Sequence, residues 1–134
     1  TSNQDDIIIK KSFYKNDQKF GKQTLYYLNG SIREEINYLE GYDHKDGPYI
    51  KYYNDGTIEE RGQYQGSRKS HSWIQYYNTG TIKKESFHNI KNYNDYPDSV
   101  IIYDKDGRII DRGRFVITKT NTSTSYRIEY DSKK

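Results

Sequence analysis

The side chains of this 134-residue chain that could do acid–base or ligand chemistry are few and scattered. There are three histidines, His44, His71 and His88, two adjacent carboxylate pairs, Glu34-Glu35 and Glu59-Glu60, and no cysteine. His44-Lys45-Asp46 has the residue types of a metal site or an acid–base pair, but no second histidine falls at a ligand spacing. All three histidines therefore read as surface residues. Adjacent glutamates in a strand point to opposite faces, so neither pair can form a carboxylate dyad. Glu34 and Glu60, if they share a face, read as solvated partners of Lys84 or a nearby arginine. Without cysteine there is no disulfide and no thiolate site. Nucleophile-elbow, phosphate-loop and dinucleotide-binding glycine motifs are missing too. The expectation is a non-enzyme with no catalytic residue, metal or cofactor.

Binding chemistry is better represented. Sixteen tyrosines are interleaved with lysine and arginine, a combination that can stack on single-stranded bases. Their recurrence at equivalent positions favours a structural role in strands, and no nucleic acid partner is expected. Trp73 stands alone, where equivalent positions carry Gln23, Tyr49 and Ser99. Tryptophan is enriched at interaction hot spots; filling the start of a strand is the other reading. The candidate binding face comprises Trp73, Tyr49, Tyr53, Tyr77, Tyr27 and Tyr103, with a protein as the expected partner.

The length fits one domain spanning residues 1–134. With 31% hydrophobic and 31% charged residues and a mean hydropathy of −1.22, the composition leans toward disorder; 16% aromatic content opposes that. A chain whose main apolar residue is tyrosine suits a thin, half-solvated sheet. Net charge is +3, with both signs interspersed, as in Arg33-Glu34-Glu35 and Lys83-Lys84-Glu85, so no electrostatic footprint for nucleic acid or membrane emerges. The longest apolar runs, Ile7-Ile8-Ile9 and Val100-Ile101-Ile102-Tyr103, fall far short of the ~18 residues of a membrane-spanning helix. The chain starts at Thr1 and has no methionine, which points to a cleaved signal peptide or a trimmed start and leaves the compartment open.

The elements that must position these residues come from a repeat. Tyr26-Tyr27-Leu28-Asn29-Gly30, Tyr52-Tyr53-Asn54-Asp55-Gly56, Tyr76-Tyr77-Asn78-Thr79-Gly80 and Ile102-Tyr103-Asp104-Lys105-Asp106-Gly107 align, with glycines 26, 24 and 27 residues apart. Upstream, Lys45-Asp46-Gly47-Pro48-Tyr49 answers Lys69-Ser70-His71-Ser72-Trp73 and Lys19-Phe20-Gly21-Lys22-Gln23. Ile9 to Phe13 echoes Ile82 to Phe87, so the chain opens midway through a unit. Residues 116–134 read as a capping strand or tail, Tyr126 to Tyr130 resembling a strand with no turn after it.

Each unit reads as two strands around a hairpin turn, followed by a longer connection such as Glu40 to Gly47. The fold class is all-β, an elongated antiparallel meander with essentially no helix. The turn admits two registers. A three-residue loop closed by a bulge glycine pairs Tyr52 with Ile58 and is preferred, because Thr79 would sit badly at positive φ. Strict alternation then gives an apolar face of Ile50, Tyr52, Ile58, Ile74, Tyr76, Ile82, Val100, Ile102 and Ile109. The other face carries Tyr49, Lys51, Tyr53, Glu59 and Arg61. In the third unit His88, rather than Phe87, counts to the position of Tyr64, so a bulge or slip is expected there.

The motif Tyr-Tyr-x-[Asn/Asp]-Gly-x-Ile-x-x-Glu followed by Gly-x-Tyr resembles the bacterial variant of the MORN repeat, as in YwqK-family antitoxins, over about residues 9–115. The resemblance implies a single-layer β-meander without catalytic residues, and an antitoxin or immunity protein that neutralises a partner toxin. Its alternative implication is a secreted or cell-envelope adaptor for protein, glycan or lipid surfaces. The compartment would be the bacterial cytoplasm in the first case and the periplasm, envelope or exterior in the second. Monomer and edge-paired dimer are both compatible with it.

Overall fold

A computed structural model describes residues 10–41, 44–89 and 96–132; Ile7 to Ile9, Tyr42 and Asp43, on which some of the expectations above fall, lie outside them. Twelve strands follow one another with no helix among the described residues. They are β1 (Lys10–Lys11), β2 (Tyr14–Lys15), β3 (Gln18–Lys19), β4 (Gly21–Tyr26), β5 (Ile32–Leu39), β6 (His44–Tyr52), β7 (Ile58–Gln65), β8 (Arg68–Tyr76), β9 (Ile82–His88), β10 (Ser99–Tyr103), β11 (Ile109–Lys119) and β12 (Thr124–Tyr130). β2 and β3 form a small hairpin of their own. The other ten make one antiparallel sheet in the order β1-β4-β5-β6-β7-β8-β9-β10-β11-β12. This is the expected meander.

The hairpin turns adopt the bulged register. Tyr53 N–H donates to Thr57 O (2.7 Å) and Gly56 N–H to Tyr53 O (3.0 Å), and Tyr52 pairs with Ile58. Gly56 has φ +92°, a left-handed conformation that a side chain with Cβ adopts only under strain. The same bonds recur at Gly30, Gly80 and Gly107. Neighbouring tips are also tied together: Asn29 Nδ2 donates to Asn54 Oδ1 (2.5 Å) and Asn78 Nδ2 to Asp55 Oδ2 (3.1 Å).

One residue beyond each turn the alternation slips. Lys51 pairs with Glu60 instead of Glu59, and Gln75 with Lys84 instead of Lys83. Each extra residue is a β-bulge, which exchanges the faces of everything after it. The expected faces are corrected accordingly. Arg61 lies opposite Ile50, on the side of Tyr52 and Tyr76 and away from Tyr49. In the fourth unit Tyr103 pairs with Ile109, so Tyr103 and Ile101 take the places expected for Ile102 and Val100.

A second irregularity lies in the upstream half of β6 and β8. Three residues, Asp46 to Pro48, sit opposite Asn37, and three, His71 to Trp73, opposite Gly62. Gly21, Gly47 and His71 all have positive φ (70°, 103° and 60°), so the irregularity belongs to the repeat. Of the bulge or slip expected in the third unit, its hairpin carries only the bulge common to all the units, between Gln75 and Tyr76. β9 runs in unbroken register against β10, and His88 simply replaces a tyrosine ring. The second connections are also shorter than expected. β7 turns into β8 through Gly66 and Ser67 alone, both at positive φ, and β6 begins at His44.

The core is a stripe across one face. Register partners place Gln23, Ile36, Tyr49 and Gly62 in one row, and Trp73, Ser86, Val100, Gly113 and Tyr130 continue it. Among the described residues Ile36, Tyr49, Trp73 and Val100 are the buried hydrophobic ones. From Tyr49 onward large and small side chains alternate along the row, which lets rings lean over their small neighbours. At the C-terminal end Phe115 of β11 stacks on Tyr126 of β12 (5.9 Å) and meets Tyr96, which precedes β10 (5.4 Å), in a smaller aromatic cluster.

Candidate interaction face

The expected binding residues separate into three groups. Trp73 and Tyr49 are core residues, 2% and 6% exposed. The Trp73 ring is 5.3 Å from Tyr49, 5.0 Å edge-on from Tyr64 and 6.4 Å from His88, and its Nε1–H donates to Gln63 O (3.1 Å). Lys69 Nζ lies over the ring at 4.6 Å. Of the two readings of Trp73, the structure supplies the geometry of the filler. The expectation of an open aromatic face containing Tyr49 and Trp73 is corrected for the same reason: the bulges turn that face into the core. His88, expected at the surface, is 5% exposed beside Trp73, with Nε2 3.0 Å from Ser86 Oγ.

Tyr27, Tyr53 and Tyr77 form the second group, and all three are half-buried. Each hydroxyl donates to the carbonyl of the first tyrosine in the following unit: Tyr27 to Tyr52 (2.6 Å), Tyr53 to Tyr76 (2.6 Å), Tyr77 to Tyr103 (2.9 Å). The second tyrosine of each Tyr-Tyr pair therefore ties one unit to the next. Tyr103 accepts the last of these ties. It makes a different bond itself, its hydroxyl donating to Glu85, as Tyr52 donates to Glu35 (2.9 Å).

These bonds shape the local electrostatics. Burial, reinforced by the bond to Glu34, pushes the Tyr49 hydroxyl far above the usual tyrosine range. Burial and Glu35 raise Tyr52, and the bond to Glu85, with burial, raises Tyr103. At the hairpin tip, hydrogen bonds from the Thr57 hydroxyl and amide hold Asp55 below the usual carboxylate range.

What remains open is the opposite face. One row of register partners crosses eight strands: Thr24, Glu35, Ile50, Arg61, Ile74, Glu85, Ile101 and Arg112. Strands lie ~4.8 Å apart; from Ile50 onward the row carries an isoleucine and a charge in turn, while Thr24 at its start is buried. Tyrosines brace it: Arg61 Nε donates to the Tyr76 hydroxyl (2.8 Å), beside the Tyr52–Glu35 and Tyr103–Glu85 bonds. Above Arg61 the face opens into a groove of about 430 Å³, lined among others by Pro48, Ile50, Gln63, Ser72 and Ile74. Sequence reasoning missed this row, although its signal was present. Positions 24, 50, 74 and 101 carry Thr, Ile, Ile and Ile, and positions 35, 61, 85 and 112 carry Glu, Arg, Glu and Arg, both sets at the spacing of the turn glycines.

Among the described residues no group of three or more histidines and carboxylates is placed to hold a metal ion, and no helix is long and apolar enough to cross a membrane. No curated protein gives a match to the chain. The family model of the MORN repeat variant matches residues 21–40 and 45–65, the segments of the β4–β5 and β6–β7 hairpins, so these two hairpin units are similar to MORN repeats.

Proposed function

We propose that this chain is a non-enzymatic protein-binding repeat that acts as an antitoxin or immunity protein, laying the Ile–charge row against a partner toxin. The observation that carries the reading is the row itself. It offers apolar contacts at fixed intervals with a groove beside them, and charges whose sign alternates from unit to unit. Interleaved charges favour one complementary protein surface and one register over others. They suit anionic lipid headgroups or a phosphate backbone poorly, because both call for clustered positive charge. Catalysis has no part in the reading, which needs only a stiff surface of matching shape.

Co-expression with the product of the adjoining gene tests it. The expected result is a stoichiometric complex and relief of growth arrest. Ile74→Glu should abolish both while leaving the circular dichroism spectrum of the free chain unchanged. No complex, or a complex untouched by Ile74→Glu, would overturn the reading.

A further inference from the structure

The two ends of the sheet are finished differently. At one end the described residues of β1, Lys10 and Lys11, are both exposed; lysines are standard protection for a sheet edge. At the other end β12 runs for seven residues, Thr124-Ser125-Tyr126-Arg127-Ile128-Glu129-Tyr130. It has no lysine, proline, glycine or bulge, and no described strand lies beyond it. Such an edge is a template for another strand.

The order of residues on β12 selects the strand. Tyr126-Arg127-Ile128-Glu129-Tyr130 is antisymmetric in charge about Ile128. A second copy of β12 laid antiparallel about a two-fold axis at Ile128 sets Arg127 opposite the second copy's Glu129, twice, and Tyr126 opposite Tyr130, twice. Other axes fail. At Arg127 or Glu129 the axis puts a residue opposite its own like charge, at Tyr130 it sets Glu129 against Asp131, and at Tyr126 it sets Arg127 against Ser125.

The backbone agrees with the same axis. Asp131 N–H donates inward to Arg112 O (2.7 Å), and Gly113 pairs with Tyr130, Arg114 with Glu129. Hydrogen bonding alternates along an antiparallel strand. Glu129 and Arg127 therefore bond inward to β11, while Tyr126, Ile128 and Tyr130 turn their N–H and C=O groups outward. An axis at Ile128 joins those three residues to their mates through six backbone hydrogen bonds. It also leaves Arg127 and the second copy's Glu129 as a non-hydrogen-bonded pair, where side chains come closest. Arg114 already holds Glu129 at 3.0 Å, which fixes the carboxylate on the edge before a partner arrives.

We propose that β12 is a homodimerisation edge, pairing antiparallel with itself about Ile128. The charges are half-exposed, so they select the register more than they add affinity.

Sedimentation of the full chain should show a monomer–dimer equilibrium up to sub-millimolar concentration. Arg127→Glu and Glu129→Arg, each alone, set like charges opposite one another twice and should each weaken the homodimer at least ~tenfold. Mixed together, the two variants restore both attractive pairs and should recover parental dimerisation as a heterodimer. Amide exchange gives a reading free of variants: Tyr126, Ile128 and Tyr130 should gain protection as concentration rises, while Arg127 and Glu129 stay protected throughout. A chain that remains monomeric, a mixture that fails to recover, or outward amides indifferent to concentration would each overturn the proposal.

Discussion

Gly62 lies beneath the indole of Trp73: a Cβ placed on Gly62 would fall 2.1 Å from Trp73 Cδ2 and 2.3 Å from Cε2. The backbone of Gly62 is ordinary, with no positive φ, so this glycine is required by its neighbour and not by its own conformation. Gly113 stands in the same relation to Ile128 and Tyr130, at 2.8 and 2.9 Å. The recurring Arg-Gly pairs at 61–62 and 112–113 are thus places where a neighbouring side chain needs room.

Gly62→Ala should destabilise the chain by ~3 kcal/mol, the upper part of the range for overpacking a core. Urea denaturation with an unchanged m-value measures it. The cost should shrink sharply in a Trp73→Phe background, since the two residues are in contact and their effects cannot add. Equal costs in the two backgrounds would mean the ring is not what Gly62 avoids.

Gly56 presents the opposite case. No atom lies within 4 Å of a Cβ built there, but its φ is +92°. Gly56→Val should cost ~1–3 kcal/mol through backbone strain alone, while Gly56→Asn, which tolerates the left-handed region better, should cost clearly less. Thermal unfolding of the two variants side by side decides this, and similar midpoints would contradict it.

Tyr53→Phe removes one hydroxyl that bonds the carbonyl of the next unit and should lower stability by ~1 kcal/mol. Tyr27→Phe and Tyr77→Phe should do the same. Each bond joins a different pair of units, so the triple variant should approach the sum. A loss confined to one of the three would show that the ties are unequal.

The chain should unfold in alkali. Tyr49, Tyr52 and Tyr103 all hold their protons more tightly when folded than at the ordinary value of 10.0. A folded-state pKa above the unfolded one gives stabilisation that is whole below about pH 10 and is lost as the pH climbs beyond it. Tyrosinate absorbance should therefore rise in a late, cooperative step that coincides with loss of the strand circular dichroism signal. Titration of all tyrosines near their ordinary value, with the sheet intact, would refute this. Glu34→Gln should weaken the effect at Tyr49, because the carboxylate contributes to the shift there.

Turns and strand order were legible in the sequence because glycine at positive φ and the Tyr-Tyr spacing are local signals. Even the correct hairpin register followed from the awkwardness of Thr79. The identity of the buried face was not legible. Counting by twos from Tyr52 puts Arg61 with Tyr49, but the extra residue at Glu59 sends it to the side of Ile50, and nothing in Ile58-Glu59-Glu60 marks a bulge. The second irregularity was hidden differently, since Gly21 and Gly47 hint at positive φ while His71 adopts it without any glycine. Trp73 was misplaced for the plain reason that rings suited to a hot spot are also suited to a core. His88 shows the reverse: counting placed it in the seat of Tyr64, and the structure uses that seat unchanged.

The tyrosine ties reach only one unit forward, from Tyr27 to 52, Tyr53 to 76 and Tyr77 to 103. No bond in this series skips a unit, so the length of the array is not written into any single contact. A further copy of residues 53–76 spliced in after Tyr76 would meet the same donors and acceptors on both sides. The architecture can be lengthened or shortened by whole units through gene duplication, and each added unit would carry the Ile–charge row farther without redesign of its neighbours.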